Sequence, residues 1–310
     1  MSKGFVTIAT GNDRYYRMAR NLLRSYRQNC STPVPFAIIA DRENEYTKEF
    51  DNVVILDNPT HSWMDKMRLL DVCPYDESLF IDADCLVYQD INFLWDLYSD
   101  ADDFSCFGEA LPLDAQGGWF TAQAAAFYPI QFCTHLHGML YFIRKSDMLK
   151  RMQSVCDDII ENYSKIQFRG FNDQLADEPV YALAMAVLGL HPVCRKAEYY
   201  CFRPFANRFS SNYACRAVQF ENEKDGFVKH CCVVHWGNKN TLRAQYRFDA
   251  RAVNREHLSA NTSLGYRLLY RYGFLLTLYR IRDFFSDLWS KTVWFFAHAT
   301  SKVKRTLFQK

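Results

Sequence analysis

Leu79-Phe80-Ile81-Asp82-Ala83-Asp84-Cys85-Leu86-Val87 is the stretch from which the fold can be read. A short apolar run, strand-like in length and composition, ends directly in two carboxylates one residue apart, and a second apolar run follows at once. Unpaired carboxylates are costly in so apolar a setting. Together the two could share one hard divalent cation, one directly and the other directly or through water. Such a cation would bind diphosphate oxygens and neutralise charge building on a leaving group. The plainer alternative is a loop pair that caps backbone amides.

Working outward, the same alternation recurs. Phe5–Thr10 reads as a strand, and a helix follows over about Tyr15–Gln28 with Met18, Leu22, Leu23 and Tyr26 on one face. Phe36–Ala40 and Val53–Leu56 are β-rich runs bounded by Pro, Asp and Asn, and Trp63–Val72 has helical spacing. Strand, helix, strand, helix, strand predicts an α/β fold, a mostly parallel sheet with helices on both faces. In such sheets ligands bind beyond the carboxyl ends of the strands, where Asp82, Asp84 and the Thr10-Gly11-Asn12-Asp13 turn would converge. Downstream, Leu111–His137 has no clear period and is expected to form loops and short helices over that crevice. Met139–Ile143 reads as a strand, Asp147–Tyr163 as a helix, Glu178-Pro179-Val180 as the start of another, and Val233–His235 as the last clear strand.

Composition sets the outer limits. With 310 residues, 49% hydrophobic and 23% charged, the chain is long enough to bury a core without staples. A net charge of +2 gives no support for a nucleic-acid partner. The charge is uneven: residues 265–310 hold nine basic and two acidic side chains, a local +7, which leaves −5 for residues 1–264. The 11 cysteines lack metal-ligand or disulfide-framework spacing and read as free thiols of a reducing compartment. The amino terminus enters a strand pattern at once, and no window reaches the ~18 uncharged apolar residues of a membrane span. The expected location is cytoplasmic.

These motifs carry a family resemblance. Phe5-Val6-Thr7-Ile8-Ala9-Thr10 with Asn12-Asp13-Arg14-Tyr15, then Lys66, then Phe80–Val87 and Asp90-Ile91-Asn92-Phe93-Leu94-Trp95-Asp96 resemble the GT-A glycosyltransferases of the glycogenin and bacterial lipooligosaccharide galactosyltransferase type. Val233-Val234-His235-Trp236-Gly237-Asn238-Lys239 is similar to that family's closing His-x-x-Gly-x-x-Lys element, shortened here to His-x-Gly-x-Lys. The resemblance implies a GT-A, Rossmann-like catalytic domain over residues 1–264 that takes a hexose from a UDP-sugar to a glycan or lipid-linked acceptor with retention. It further implies a metal held by Asp82, Asp84 and His235; imidazole in the set suits Mn²⁺ better than Mg²⁺. Contacts to the nucleotide sugar fall on Ile8, Ala9, Thr10, Asn12, Tyr15, Lys66, Asp82, Ala83, His137, Gly138, Gly237 and Lys239. The family's Asp-Gln pair corresponds to Asp173-Gln174 or to Asp177-Glu178, and the second is preferred because Pro179 and an apolar helix follow it. Asp177 and Glu178 are then the catalytic candidates.

Two other readings remain open at this level. A haloacid-dehalogenase-type phosphatase also places Asp-x-Asp after a strand, but its pattern wants Thr or Val where Leu86 stands. An inactive nucleotide-sugar-binding scaffold is favoured by Leu136-His137-Gly138, which replaces the family's Asn-Ser-Gly. The segment 265–310 resembles nothing in that family. Its interleaved aromatic and basic residues predict amphipathic helices on a membrane surface, with a protein contact as the alternative. An enzyme so anchored would be peripheral on the cytoplasmic face.

Overall fold

The structure is a computed structural model that describes residues 1–170, 174–255, 276–278, 280–285, 288 and 289. β1 (Lys3–Ala9) opens the chain, and α1 (Asp13–Asn29) follows because Asn12 caps it, its side chain accepting from the Arg14 N–H at 2.8 Å. β2 (Phe36–Ala40) and β3 (Asn52–Ile55) come next. The Trp63–Val72 segment, expected as one helix, is a 3-10 turn over Trp63–Arg68 that relaxes into the short α2 (Leu69–Val72). β4 (Glu77–Ile81), β5 (Cys85–Val87), α3 (Phe93–Leu97), β6 (Phe104–Leu111), β7 (Cys133–Arg144), α4 (Asp147–Glu161) and α5 (Asp177–Leu188) complete the main layer structure.

The central sheet has six strands in the order β3-β2-β1-β4-β7-β6. β3, β2, β1 and β4 pair in parallel, while β7 runs antiparallel to both β4 and β6. The expected mostly parallel sheet with flanking helices is what forms. Successive residues feed opposite faces, as the strand period requires. Val6, Ala37, Ile39 and Phe80 join the α4 and α5 side, whereas Phe5, Phe36, Ile38, Leu79 and Ile81 join the α1 side.

Downstream, β8 (Tyr200–Phe202), β9 (Asn207–Asn212), β10 (Ala217–Asn222), β11 (Gly226–Val228), β12 (Val233–His235) and α6 (Ala244–Val253) follow. β5, β12 and β8 form a second sheet, and β9–β11 form a three-stranded meander beside it. The eleven cysteines are free, eight of them buried.

One expectation needs correction in part. Leu111–His137 was expected as loops and short helices; a 3-10 turn at Ala122–Ala126 does lie there, but β7 begins at Cys133 and β6 runs up to Leu111. The reason is pairing across the chain: Phe107–Leu111 of β6 stand opposite His137–Cys133, and the register shift between Cys106 and Phe107 leaves three extra residues on the β7 side. The strands β8 to β11 escaped the sequence reading because they are short and partly polar, so their period is too weak to register.

Asp249 on α6 is fully buried and joins three elements. Tyr88 Oη donates to it at 2.8 Å, the Tyr213 N–H at 2.9 Å, and the Ser211 hydroxyl donates as well. Asp249→Ala would leave these donors unmatched in the interior. We expect a loss of about 3 kcal/mol of stability, read as a lowered urea midpoint with unchanged slope. An unchanged midpoint would mean that water replaces the carboxylate.

Candidate metal centre

β4 carries Asp82 to the carboxyl end of the sheet, where its N–H donates to the Met139 carbonyl at 3.0 Å. The Cys85 N–H then donates back to the Asp82 carbonyl at 3.0 Å, closing a tight turn that contains Ala83 and Asp84. β5 leaves this turn to pair antiparallel with β12: Val87 stands opposite Val233, Leu86 opposite Val234, and Cys85 opposite His235. The Trp236 N–H extends the pairing to the Asp84 carbonyl at 3.1 Å. His235 Nε2 thereby comes to 3.1 Å from Asp84 Oδ1 and 3.5 Å from Asp82 Oδ2.

One ligand atom from each of Asp82, Asp84 and His235 lies within 4.8 Å of the others. Ligands of a six-coordinate divalent ion at its usual bond lengths stand about 3 Å apart, so this set fits such an ion with little movement. Two carboxylate oxygens with one imidazole nitrogen suit Mn²⁺ better than Mg²⁺.

Lys66, on the 3-10 turn before α2, reaches into the same cluster. Its Nζ is 2.8 Å from Asp82 Oδ1 and 3.4 Å from Asp177 Oδ2. Tyr181 Oη donates to its carbonyl at 2.8 Å, fixing the backbone from α5. Asp177 opens α5, is 3% exposed, and also accepts from Tyr141 Oη at 2.7 Å. Glu178 is half-buried and has no hydrogen-bond partner among the described residues. Gly138 makes room for it: a Cβ at that position would stand 2.5 Å from Glu178 Cγ and 2.7 Å from Tyr141 Oη.

The electrostatics follow from burial and mutual charge. Burial raises Asp82 to about 6, against the pull of Lys66 and His235. Burial also opposes ionisation of Asp84, but His235 outweighs it and holds that carboxyl below its usual range. His235 is held above the usual imidazole range, because the Asp84 charge and hydrogen bond overcome burial. Lys66 is likewise held high, with Asp177 and Asp82 overcoming burial. Burial, then the charge of Asp177, pushes Glu178 up to about 8.

The nucleotide-contact candidates form a neighbouring group. Ile8 and Ala9 end β1, and Thr10 Oγ1 donates to Asp65 Oδ2 at 2.9 Å. Gly11 turns the chain with φ 74°, its N–H donating to Asp41 Oδ2 at 3.1 Å. Asn12 caps α1, and Tyr15 Oη accepts from Asn238 Nδ2 at 3.3 Å. Arg14 ties the same loop down through the Asn238 carbonyl and the Thr241 hydroxyl. Gly237 adopts φ 66°, and Lys239 is exposed at the start of a 3-10 turn, with no ion pair among the described residues. His137 on β7 packs its ring 5.4 Å from that of Tyr200, and burial, then the nearby His135, lowers it to about 3, so it is neutral at working pH.

The structure thus gathers Lys66, Asp82, Asp84, Asp177, Glu178, Gly138 and His235 into one cluster. It ties Tyr15, with Arg14, to the loop of Gly237 and Lys239 through Asn238. The alternative Asp173-Gln174 pair falls partly outside the described residues, at Asp173. Sequence reasoning missed Asp41, Asp65, Arg14 and Tyr141. Asp41 had a signal, since like Asp82 it directly follows an apolar strand; the other three depend on tertiary neighbours.

Gly138→Ala should push Glu178 and Tyr141 aside, costing about 1–3 kcal/mol. Thermal unfolding of the single variant and of Gly138→Ala/Glu178→Ala checks this. The double variant should recover part of the loss, and strict additivity would mean that the two residues do not meet.

No protein-family model and no curated protein matches the sequence. Among solved structures, galactosyltransferase LgtC in complex with donor and acceptor sugar analogs is similar at 13% identity, over 85% of this chain and 99% of that one, with a TM-score of 0.49. The apo structure of the bifunctional glycosyltransferase WbbM is similar at 10% identity over 81% of this chain and 49% of its own, TM-score 0.48. Mouse xyloside xylosyltransferase 1 in its apo form is similar at 11% identity over 77% of this chain and 99% of its own, TM-score 0.46. Likenesses this distant carry no statement about residues or activity.

Proposed function

We propose that the chain is a metal-dependent glycosyltransferase that moves a hexose from a UDP-sugar to a glycan or lipid-linked acceptor, with retention of anomeric configuration. The observation that carries this reading is the convergence of Asp82, Asp84 and His235 within 4.8 Å at the carboxyl end of β4. Asp82, Asp84 and His235 hold the ion, Mn²⁺ before Mg²⁺. When bound, it neutralises charge on the diphosphate and its leaving oxygen.

The chain's own residues then divide the work. Lys66 stands between Asp82 and Asp177 and adds positive charge beside the diphosphate. Asp177 is engaged by Tyr141 and Lys66, so its share is to hold that lysine in place. Glu178 is the carboxyl that a donor sugar meets. Burial and the charge of Asp177 favour its protonated form, which offers a hydrogen-bond donor to a sugar oxygen. Ile8, Ala9, Thr10, Asn12 and Tyr15 receive the uridine, Ala83, His137 and Gly138 the sugar, and Gly237 and Lys239 close over the phosphates.

Asp84→Asn should abolish the metal-dependent part of UDP binding, measured by calorimetry with and without Mn²⁺, while circular dichroism stays unchanged. His235→Ala should weaken Mn²⁺ binding, with activity partly restored by excess ion. A His235→Ala protein that loses stability but keeps its metal affinity would make the histidine structural. UDP binding without transfer to any acceptor would favour the scaffold.

The tail, residues 265–310, is proposed to rest on an anionic membrane surface. Among the described residues no helix is long and apolar enough to cross a membrane. The described helical positions expose Ile281, Phe284, Phe285 and Trp289. Asp283 points the other way, accepting from the Ala244 N–H at 2.5 Å and from Arg247 at 2.6 Å. Each basic residue near an anionic surface contributes ~1 kcal/mol. A lipid-linked acceptor at the cytoplasmic face fits that arrangement. Phe284→Glu/Phe285→Glu/Trp289→Glu, which spares Asp283, should stop sedimentation with anionic liposomes while leaving UDP binding intact. Full-length protein that ignores liposomes of every charge yet loses an oligomer in this variant would replace the membrane with a protein partner.

A further inference from the structure

Beside the metal cluster, on the β8 side of His235, an aromatic row leads out to solvent. β8 pairs in parallel with β12 so that Phe202 stands opposite His235, and their rings lie 4.9 Å apart. Tyr200 shares that face of β8 and touches His137, so the row runs from the middle of β7 past the metal ligand. It ends on Phe205, whose ring meets that of Phe202 edge-on at 5.0 Å and 84°. Phe205 is 76% exposed.

The turn that presents Phe205 is braced. Arg203 Nη1 donates to the Ala206 carbonyl at 3.0 Å, and its guanidinium lies 4.7 Å over the Phe209 ring. Phe209 packs in turn on buried Trp236, 5.3 Å away. Pro204 sits so close to Gly237 that a Cβ there would stand 2.9 Å from Pro204 Cγ. A large apolar ring is therefore held out into water by a rigid turn, within two ring contacts of a metal ligand, with exposed Asn207, Asn238 and Lys239 among its chain neighbours and those of the abutting Gly237. Apolar ring and polar surroundings together match a pyranose, which has a C–H face and a rim of hydroxyls; a lipid chain would find the second feature unfavourable.

We propose that Phe205, backed by Phe202, is a stacking platform for a pyranose ring of the acceptor. This rests on the glycosyltransferase reading, and deepens it by giving the acceptor a place and a chemistry. The donor sugar is met by Glu178 and Gly138; the acceptor ring stacks on the far side of His235 and turns a hydroxyl toward the metal cluster.

The test is saturation-transfer NMR with a panel of methyl hexopyranosides, with and without UDP and Mg²⁺, on the full chain. Wild type should transfer saturation to the ring C–H protons. Phe205→Ala should weaken saccharide affinity about tenfold, and Phe205→Trp should keep or improve it. Thermal unfolding of each variant separates a folding defect from a lost contact. Equal saccharide binding by wild type and Phe205→Ala, or no saccharide binding by wild type, overturns the platform. Calorimetric titration of the wild type with UDP and Mn²⁺ reads the glycosyltransferase proposal separately: its failure there, with saccharide binding still dependent on Phe205, would leave a sugar-binding platform on a protein of another activity.

Discussion

Asp82 and Asp177 are buried and Asp84 is half-buried beside them, and three carboxylates so placed repel unless positive charge is brought to them. The chain supplies it from two directions. Lys66 arrives on a 3-10 turn held by Tyr181, and His235 arrives at the end of β12. Without the β5–β12 pairing the imidazole would not face Asp84, and the second sheet that carries the aromatic row would have no anchor on the first.

That balance is close to what a bound cation needs. His235 holds a proton more firmly than an ordinary imidazole, because the Asp84 charge and hydrogen bond overcome burial, so a cation held there would compete with that proton. The carboxylates are thus pre-positioned at ligand spacing, and little rearrangement is required. Around them the packing is tight wherever a side chain must approach backbone. Gly138 yields to Glu178, and Gly237 to Pro204. The loop between His235 and α6 is fastened to the start of α1 by Arg14 and Tyr15, so the closing element, though short, stays next to the turn after β1.

Elements whose pattern is local were legible before folding. β1, α1, β2 and the strand before Asp82 could be read from runs of apolar residues and one helical stripe, because each buries a face along a short stretch of chain. The Asp-x-Asp pair at a strand end was legible for the same reason, and so was the mostly parallel sheet that follows from alternating elements. Whatever depends on distant partners had to wait for the folded chain. It put His235 beside Asp84, engaged Asp177 with Tyr141 and Lys66 while leaving Glu178 open, and turned the end of an expected loop into β7. Hydrogen bonding between strands and charge compensation between buried groups act across space, and residues far apart in sequence carry no mark of which of them will meet.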